Sequence, residues 1–314
     1  MSTTATPMRK TVSTNAAEQT RKGSGPVIVA VGREDVHHLL TAGNALATRL
    51  GTSVRVISVV PPILVSGMSG APIYVPAAEA EMDVRDSIAH MVEREVTRVA
   101  GQAPGTSWEV VDGDAAAVLT ERASSLRASM LLMGLGRHRA VEQLLAAETT
   151  LRVMRHCSAP VLAVNADFDG APKRAVVATD FSARSALAAQ AAIPLLAEGA
   201  TLHLVHVWQP SGSRAPSIVA AEKRYADSLA ERFARLRSVL TVPSGVTVTT
   251  SAIEGNVVER VLDFAETTDA DLLVAGRQGL SFLTRLMVGS VTTALVRGAR
   301  CPVLIIPEPS YPAA

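Results

Sequence analysis

The chain has 314 residues, of which 48% are apolar and only 3% aromatic, with a formal net charge of +1. That length accommodates two domains of ordinary size, each with its own core. The near-neutral charge argues against a polyanionic partner or a membrane surface, and the scarcity of aromatic rings argues against a stacking platform for single-stranded nucleic acid.

Met1 to Ser24 is polar, rich in Ser, Thr and Ala, and unpatterned, which reads as a disordered tail. It lacks the apolar core of a secretory signal, and no later run approaches the roughly 20 apolar residues of a spanning helix. A soluble cytoplasmic protein without nucleic-acid or membrane partners is expected. Cys157 and Cys301 stand at non-equivalent places and read as reduced thiols. The first ordered segment, residues 25–165, predicts strands near Pro26–Val31, Val54–Val59, Trp108–Val111, Met130–Met133 and Pro160–Val164. A Pro/Gly/Ser-rich loop at Pro61–Pro76 lies between the second strand and the third. His37 and His38 fall early in a helix, with no neighbouring spacing that suggests a metal site. Asn165–Lys173 reads as a linker.

The second segment, residues 172–309, repeats the order. Strands are predicted at Arg174–Thr179, Leu202–Val207, Val246–Ser251, Asp271–Ala275 and Pro302–Ile306. The intervening helices are Ala183–Ala197, Ser217–Leu240, Val257–Thr267 and Val291–Gly298, with Pro194 expected to kink or end the first of them. Strict alternation of apolar strands and helices implies a parallel sheet covered on both faces. The fold class is therefore α/β, with two tandem flavodoxin-like (Rossmann-like) doubly wound domains of five parallel strands each.

The two segments are copies. Leu131-Leu132-Met133-Gly134 answers Leu273-Val274-Ala275-Gly276, and Asp112-Gly113-Asp114 answers Glu254-Gly255-Asn256. Ala159-Pro160-Val161-Leu162 answers Cys301-Pro302-Val303-Leu304, and all three matches share the offset of 142 between Gly134 and Gly276. Earlier the offset is 148, as between Gly51 and Gly199, so the first copy carries six extra residues, placed in the Pro61–Pro76 loop.

Chemistry concentrates in the second copy. Gly276-Arg277-Gln278-Gly279 follows a buried strand, and Gly289-Ser290-Val291-Thr292 opens a helix. Glycines there let bare main-chain N–H groups approach an anion, and a helix N-terminus adds partial positive charge. In a doubly wound sheet the ligand lies at the strand carboxyl ends where winding reverses, which brings in Thr179-Asp180-Phe181-Ser182. Asp180 suits an amino or hydroxyl donor on a base or sugar; alternatively, it or Ser182 caps the next helix. Arg277 and Arg285 read either as phosphate-neutralising groups or as solvated loop residues. His206 reads as a packing residue rather than a base, because it and Val207 face opposite ways on a strand. Trp108 and Trp208 read as packing residues.

Val177-Ala178-Thr179-Asp180-Phe181-Ser182, Leu204-Val205-His206-Val207 and the G-x-x-G-x(9)-G-S-V-T spacing resemble the universal stress protein family in tandem form. The resemblance implies a nucleotide site for ATP or AMP, with magnesium. By position, Asp180 meets the adenine or ribose side and Val207 offers main-chain contacts to adenine. Gly276 and Gly279 underlie the ribose and α-phosphate. Gly289, Ser290 and Val291 hold the β- and γ-phosphates, with Thr292 alongside. The family often has methionine before the first glycine, where Ala275 stands here. It also implies pairing through last strands, so Val161–Val164 and Val303–Ile306 are expected to make an intramolecular pseudo-dimer, and two chains to form a homodimer.

In the first copy Gly134 is kept, but Gly279 becomes Arg137, Gly289 becomes Ala147, Ser290 becomes Glu148 and Asp180 becomes Gly32. A glutamate at the phosphate-binding helix N-terminus would repel the ligand, so this copy is expected to be a degenerate scaffold. The function expected is that of a stress-response nucleotide-binding regulator acting on a protein partner, with no catalytic residue and no dedicated metal ligands. The alternatives are a slow ATPase and a ligand-free partner-binding module. No Walker-type G-x-x-x-x-G-K-S/T is present.

Overall fold

The computed structural model describes residues 8–11, 25–32, 36–61, 64–66, 72–74, 78–99, 105–135, 140–165, 168–277 and 290–308. The chain divides into two compact units, Met1–Ala159 and Pro160–Ala314.

In the first unit β1 (Met8–Thr11) precedes β2 (Val27–Val31), α1 (Val36–Leu50) and β3 (Val54–Val60). Then come β4 (Leu64–Ser66), β5 (Pro72–Tyr74), α2 (Ala78–Val99), β6 (Ser107–Asp112), α3 (Ala115–Ser125), β7 (Met130–Gly134) and α4 (Ala140–His156). The strand order is β1-β6-β3-β2-β7, with β2, β3, β6 and β7 parallel and β1 antiparallel to β6. Two segments differ from the sequence reading. Met8–Thr11, within the stretch that reads as unstructured, pairs with β6; the rest of that stretch lies outside the described residues. The Pro61–Pro76 loop contains the small antiparallel hairpin β4–β5.

The second unit runs β8 (Val161–Val164), β9 (Arg174–Ala178), α5 (Ala183–Ala192), β10 (Thr201–Trp208), α6 (Pro216–Ser238) and β11 (Thr247–Glu254). It continues with α7 (Val257–Thr267), β12 (Leu272–Gly276), α8 (Ser290–Gly298) and β13 (Val303–Ile306). The order is β8-β13-β12-β9-β10-β11, parallel throughout except that β8 runs antiparallel to β13. Its own five strands thus follow the 3-2-1-4-5 order of the Rossmann half-fold rather than the flavodoxin order. Right-handed crossovers place α5 and α6 on one face and α7 and α8 on the other. As Pro194 requires, α5 stops at Ala192 and gives way to a 3-10 turn at Ile193–Leu195.

The inner strands carry near-continuous Val, Ile, Leu and Ala runs, buried because helices cover both faces, whereas the edge strand β11 is Thr-rich and largely open to solvent. The Asp-Gly-Asp and Glu-Gly-Asn repeats acquire a physical meaning. Gly113 and Gly255 take φ of 142° and 134°, and the next residue, Asp114 or Asn256, caps the following helix through its side-chain oxygen. Each turn delivers the chain from the third strand into a helix, so the motif persists in both copies irrespective of any ligand.

One position is handled differently in the two units. In the first, Glu109 is fully buried and lies 3.4 Å from Arg55 Nη2 and 3.2 Å from Arg122 Nε. Arg55 also donates to Ser107 at 2.8 Å, across the β3–β6 pair. In the second, the corresponding cross-strand pair is His203 with Thr249 at 2.6 Å, and Phe264 packs edge-on against His203 at 5.7 Å. By the repeat offsets, Arg55, Glu109 and Arg122 correspond to His203, Ser251 and Phe264.

Among the described residues no helix is long and apolar enough to cross a membrane. Cys157 is buried and Cys301 half-buried.

Candidate functional site

In the second unit β9 and β12 are adjacent, paired through Val177 and Val274, yet the chain leaves them in opposite directions along the sheet. Their carboxyl ends therefore border the switch-point crevice. The loop after β9 is tightly built. Thr179 Oγ1 accepts from the Phe181 N–H at 3.1 Å and shares a 2.9 Å bond with the Ser185 hydroxyl. Asp180 Oδ1 accepts from the Ser182 N–H at 3.0 Å, and Ser182 Oγ caps α5 by accepting from the Ser185 N–H at 3.2 Å. Of the two capping readings of this loop the Ser182 one is realised: Ser182 makes the cap, and Asp180 makes the turn that precedes it. Asp180 is half-buried in the loop that follows β9.

Phe181 adopts a φ of 61°, an outlier for a bulky residue. Its ring stacks obliquely on His206 at 4.5 Å and edge-on against Phe233 of α6 at 4.9 Å. The contacts on both sides hold a backbone conformation that is unfavourable in isolation. His206 is buried, with Nδ1 2.7 Å from the Thr179 carbonyl and Nε2 2.7 Å from the Tyr225 hydroxyl. A carbonyl only accepts, so Nδ1 carries the proton and Nε2 accepts from Tyr225. That is the packing role expected for His206, with the imidazole joining β9, β10 and α6. Tyr225 and Phe233 do not stand out in the sequence; their signal is the stripe Tyr225, Leu229, Phe233 at helical spacing.

Burial pushes the His206 imidazole below the usual histidine range. Its bond to Thr179 and the Asp180 charge pull it partly back, while Arg232 adds to the lowering. Burial lowers His203 in the same way. The folded unit binds these protons less readily than the unfolded chain, so stability is undiminished above the unfolded value of about 6.5 and falls as pH drops through it. Urea midpoints of the full chain at pH 7.5 and 5 are expected to show that loss, and His206→Gln to reduce it. An equal loss in both proteins would remove His206 as the cause.

On the other side of the crevice, Gly276 ends β12 opposite Ile306, and the Arg277 N–H donates to the Ile306 carbonyl at 2.9 Å. Buried Thr292, in the first turn of α8, donates through Oγ1 to the Gly276 carbonyl at 3.1 Å, with the Arg277 carbonyl at 3.4 Å. The hydroxyl is spent on the protein, and its effect is to dock the N-terminus of α8 against the end of β12. Ser290 opens that helix and half-buried Val291 follows. Gly279, Gly289 and Arg285 lie outside the described residues, as does the side chain of Ser290. Val207 lies near the end of β10, which runs on after its last pairing with β9 at Val205. Thr292→Val keeps the shape and removes the donor, and is expected to cost about 1–2 kcal/mol. Chemical denaturation checks this; a stability equal to wild type would show that the staple is idle.

The first unit is built differently at the matching place. Gly134 ends β7, and the space around Gly32 holds nothing within 4 Å of where a Cβ would stand. Glu148 does not sit at a helix N-terminus as expected, because α4 is already helical from Ala140. The stretch Ala140-Val141-Glu142-Gln143-Leu144-Leu145-Ala146-Ala147 contains no glycine and is mostly strong helix formers, in keeping with its helical state in α4. Glu148 lies 3.9 Å from Arg155 in the body of α4. Arg137 and the Ala147 side chain are outside the described residues.

Comparison with known proteins decides the family. The universal stress protein family model matches residues 24–165 and again 172–307. The chain belongs to the universal stress protein family, in tandem form. A universal stress protein of Mycobacterium tuberculosis is 27% identical over 320 residues, spanning 95% of this chain and 99% of that protein. One from Methanocaldococcus jannaschii is 38% identical over a shorter stretch of 65 residues, which is 21% of this chain and 38% of that one. Among solved structures, a universal stress protein from Archaeoglobus fulgidus superposes with a TM-score of 0.62 at 18% identity, covering 90% of this chain and 96% of its own. That likeness shows a shared fold over 90% of this chain. Among the described residues no cluster of three His, Cys, Asp or Glu side chains forms a metal site.

Proposed function

We propose that this universal stress protein binds one adenine nucleotide, ATP or AMP, in its second repeat, and that the occupied state regulates a partner protein during a stress response. The observation that carries the reading is the Thr292–Gly276 bond, which sets the N-terminus of α8 beside the end of β12, next to the strand that presents Asp180. A helix N-terminus supplies N–H groups and partial positive charge for phosphates, and Asp180 supplies an acceptor for the base or ribose. In this reading Val207 offers its main chain to adenine, and Gly276 and Gly279 lie under the ribose and α-phosphate. Gly289, Ser290 and Val291 bind the outer phosphates. Thr292 positions the helix rather than touching the ligand. Magnesium would accompany the phosphates of ATP. The first repeat, helical where the cradle would be, serves as scaffold. The pairing of its last strand with that of the second repeat and a homodimer of chains complete the proposal.

The ATPase reading has less support, because His206 is committed to Thr179 and Tyr225. The test is calorimetric titration of the full chain with ATP and AMP after denaturing extraction of any co-purified nucleotide. One site per chain is expected; two sites, or none at millimolar ligand, would overturn the proposal.

A further inference from the structure

A groove of about 580 Å³ lies between α5 and α6 in the second unit. Its α5 wall carries Ala183, Ala186, Leu187 and Gln190, and its α6 wall carries Arg232, Arg235, Leu236 and Val239. Each wall follows the i, i+3, i+4, i+7 spacing of one helical stripe. Leu187 on one wall and Val239 on the other are 45% and 65% exposed. The charged residues lining it are both cationic. Arg235 is paired with Glu231, whereas Arg232 contacts the Ser228 hydroxyl and the face of the Tyr225 ring, neither of them an anion. Phe181 lines the same groove with its ring while its backbone adjoins Asp180.

We infer that this groove docks an amphipathic helix of a partner protein, its apolar face against Leu187, Leu236 and Val239 and its acidic flank against Arg232 and Arg235. Two parallel helical walls with an apolar strip between them match the shape of a third helix, and the uncompensated cation selects an acidic one. Phe181 makes the groove sensitive to the strand-end loop: a ligand that shifts Asp180 shifts the neighbouring Phe181, whose φ of 61° is held by its ring contacts and by its N–H bond to Thr179. This coupling rests on the nucleotide reading above; the docking itself does not.

The experiment titrates the full chain into a fluorescein-labelled synthetic helix of about four turns. The probe has Leu at i, i+3, i+4 and i+7 with Glu on both flanks, and a Lys-flanked twin serves as control. Anisotropy is expected to show binding of the acidic probe only, weakened about tenfold or more by Leu187→Asp and by Arg232→Glu, with Arg232→Glu also improving the Lys-flanked twin. Circular dichroism of each variant verifies folding. Equal binding of both probes, or indifference to Arg232→Glu, overturns the docking proposal. So does a wild-type dimer that Leu187→Asp converts to monomer, since the groove would then be filled by a second copy. With the probe bound, ATP is expected to change its Kd about fivefold or more. No change in a chain that binds ATP by calorimetry overturns the coupling, while absence of ATP binding counts against the nucleotide reading and leaves the docking result standing.

Discussion

Mg-ATP at 100 times its dissociation constant is expected to stabilise the wild-type chain by about 2.7 kcal/mol, and Gly289→Glu is expected to abolish that gain. The first figure comes from mass action: a ligand that binds the folded state alone adds RT ln(1 + [L]/Kd). For a unit of this size it corresponds to a rise of roughly 5–11 °C in Tm. The variant changes the cradle in two ways. In the proposed site a side chain at Gly289 would hold the phosphates away from the main-chain N–H groups, and its carboxylate would set like charge before α8, where the dipole would otherwise favour the ligand. Differential scanning fluorimetry with and without nucleotide measures both. If Gly289→Glu melts higher with Mg-ATP by as much as wild type does, the phosphates are not held by α8. If neither protein responds, the second repeat carries no adenine-nucleotide site.

Glu109→Ala in the first unit is expected to cost about 3–5 kcal/mol. Glu109 is fully buried, and the guanidinium groups of Arg55 and Arg122 that it neutralises are themselves 12% and 19% exposed. Removing the carboxylate leaves Arg55 without an anionic partner in a poorly solvated place and Arg122 with only the exposed Glu121 at 3.1 Å, and that poorly compensated charge, rather than the lost contact, accounts for most of the cost. The triad is not well satisfied even when intact: Glu109 Oε2 and Arg55 Nε lack hydrogen-bond partners in the structure. The second unit fills the same place with His203, Ser251 and Phe264. Replacing the whole set, Arg55→His with Glu109→Ser and Arg122→Phe, is therefore expected to leave the unit more stable than Glu109→Ala alone. Urea unfolding of the three proteins, compared at matched m values, decides it. A triple variant less stable than the single one would show that the ions contribute more than their mutual neutralisation.

Short-range signals in this sequence are reliable where the deciding contacts are themselves short-range. The pattern predicts a helix over Val257–Thr267, and α7 has those limits, because Asn256 caps it and Gly255 turns the chain into it. Pro194 ends α5 where its ring and missing N–H forbid a further turn. The β-branched runs form parallel strands because only a sheet covered on both faces buries such runs completely. The β4–β5 hairpin escapes the sequence reading because three-residue strands in a Pro/Gly/Ser-rich stretch carry no periodicity to detect. Glu148 is misplaced by the repeat offset, because an offset carries residue identity across and not secondary structure: α4 already begins at Ala140 in a glycine-free stretch.

From the amino-acid order come the duplication, the α/β class, the family and the asymmetry between a glycine-bearing copy and one without it, since all of these are written in local pattern and spacing. Tertiary structure decides what individual side chains do. The motif sets Thr292 beside phosphates, and the fold spends its hydroxyl on the carbonyl of Gly276, sixteen positions away. Asp180 and Ser182 read as alternative caps, and the fold uses Ser182 for the cap and Asp180 for the turn before it. Phe181 reads as part of a motif, and the fold makes it the contact between the Asp180 loop and α6. A hydrogen bond or a ring contact depends on where two distant backbones come to lie. That depends on the whole sheet and its helices, which no single stretch of sequence encodes.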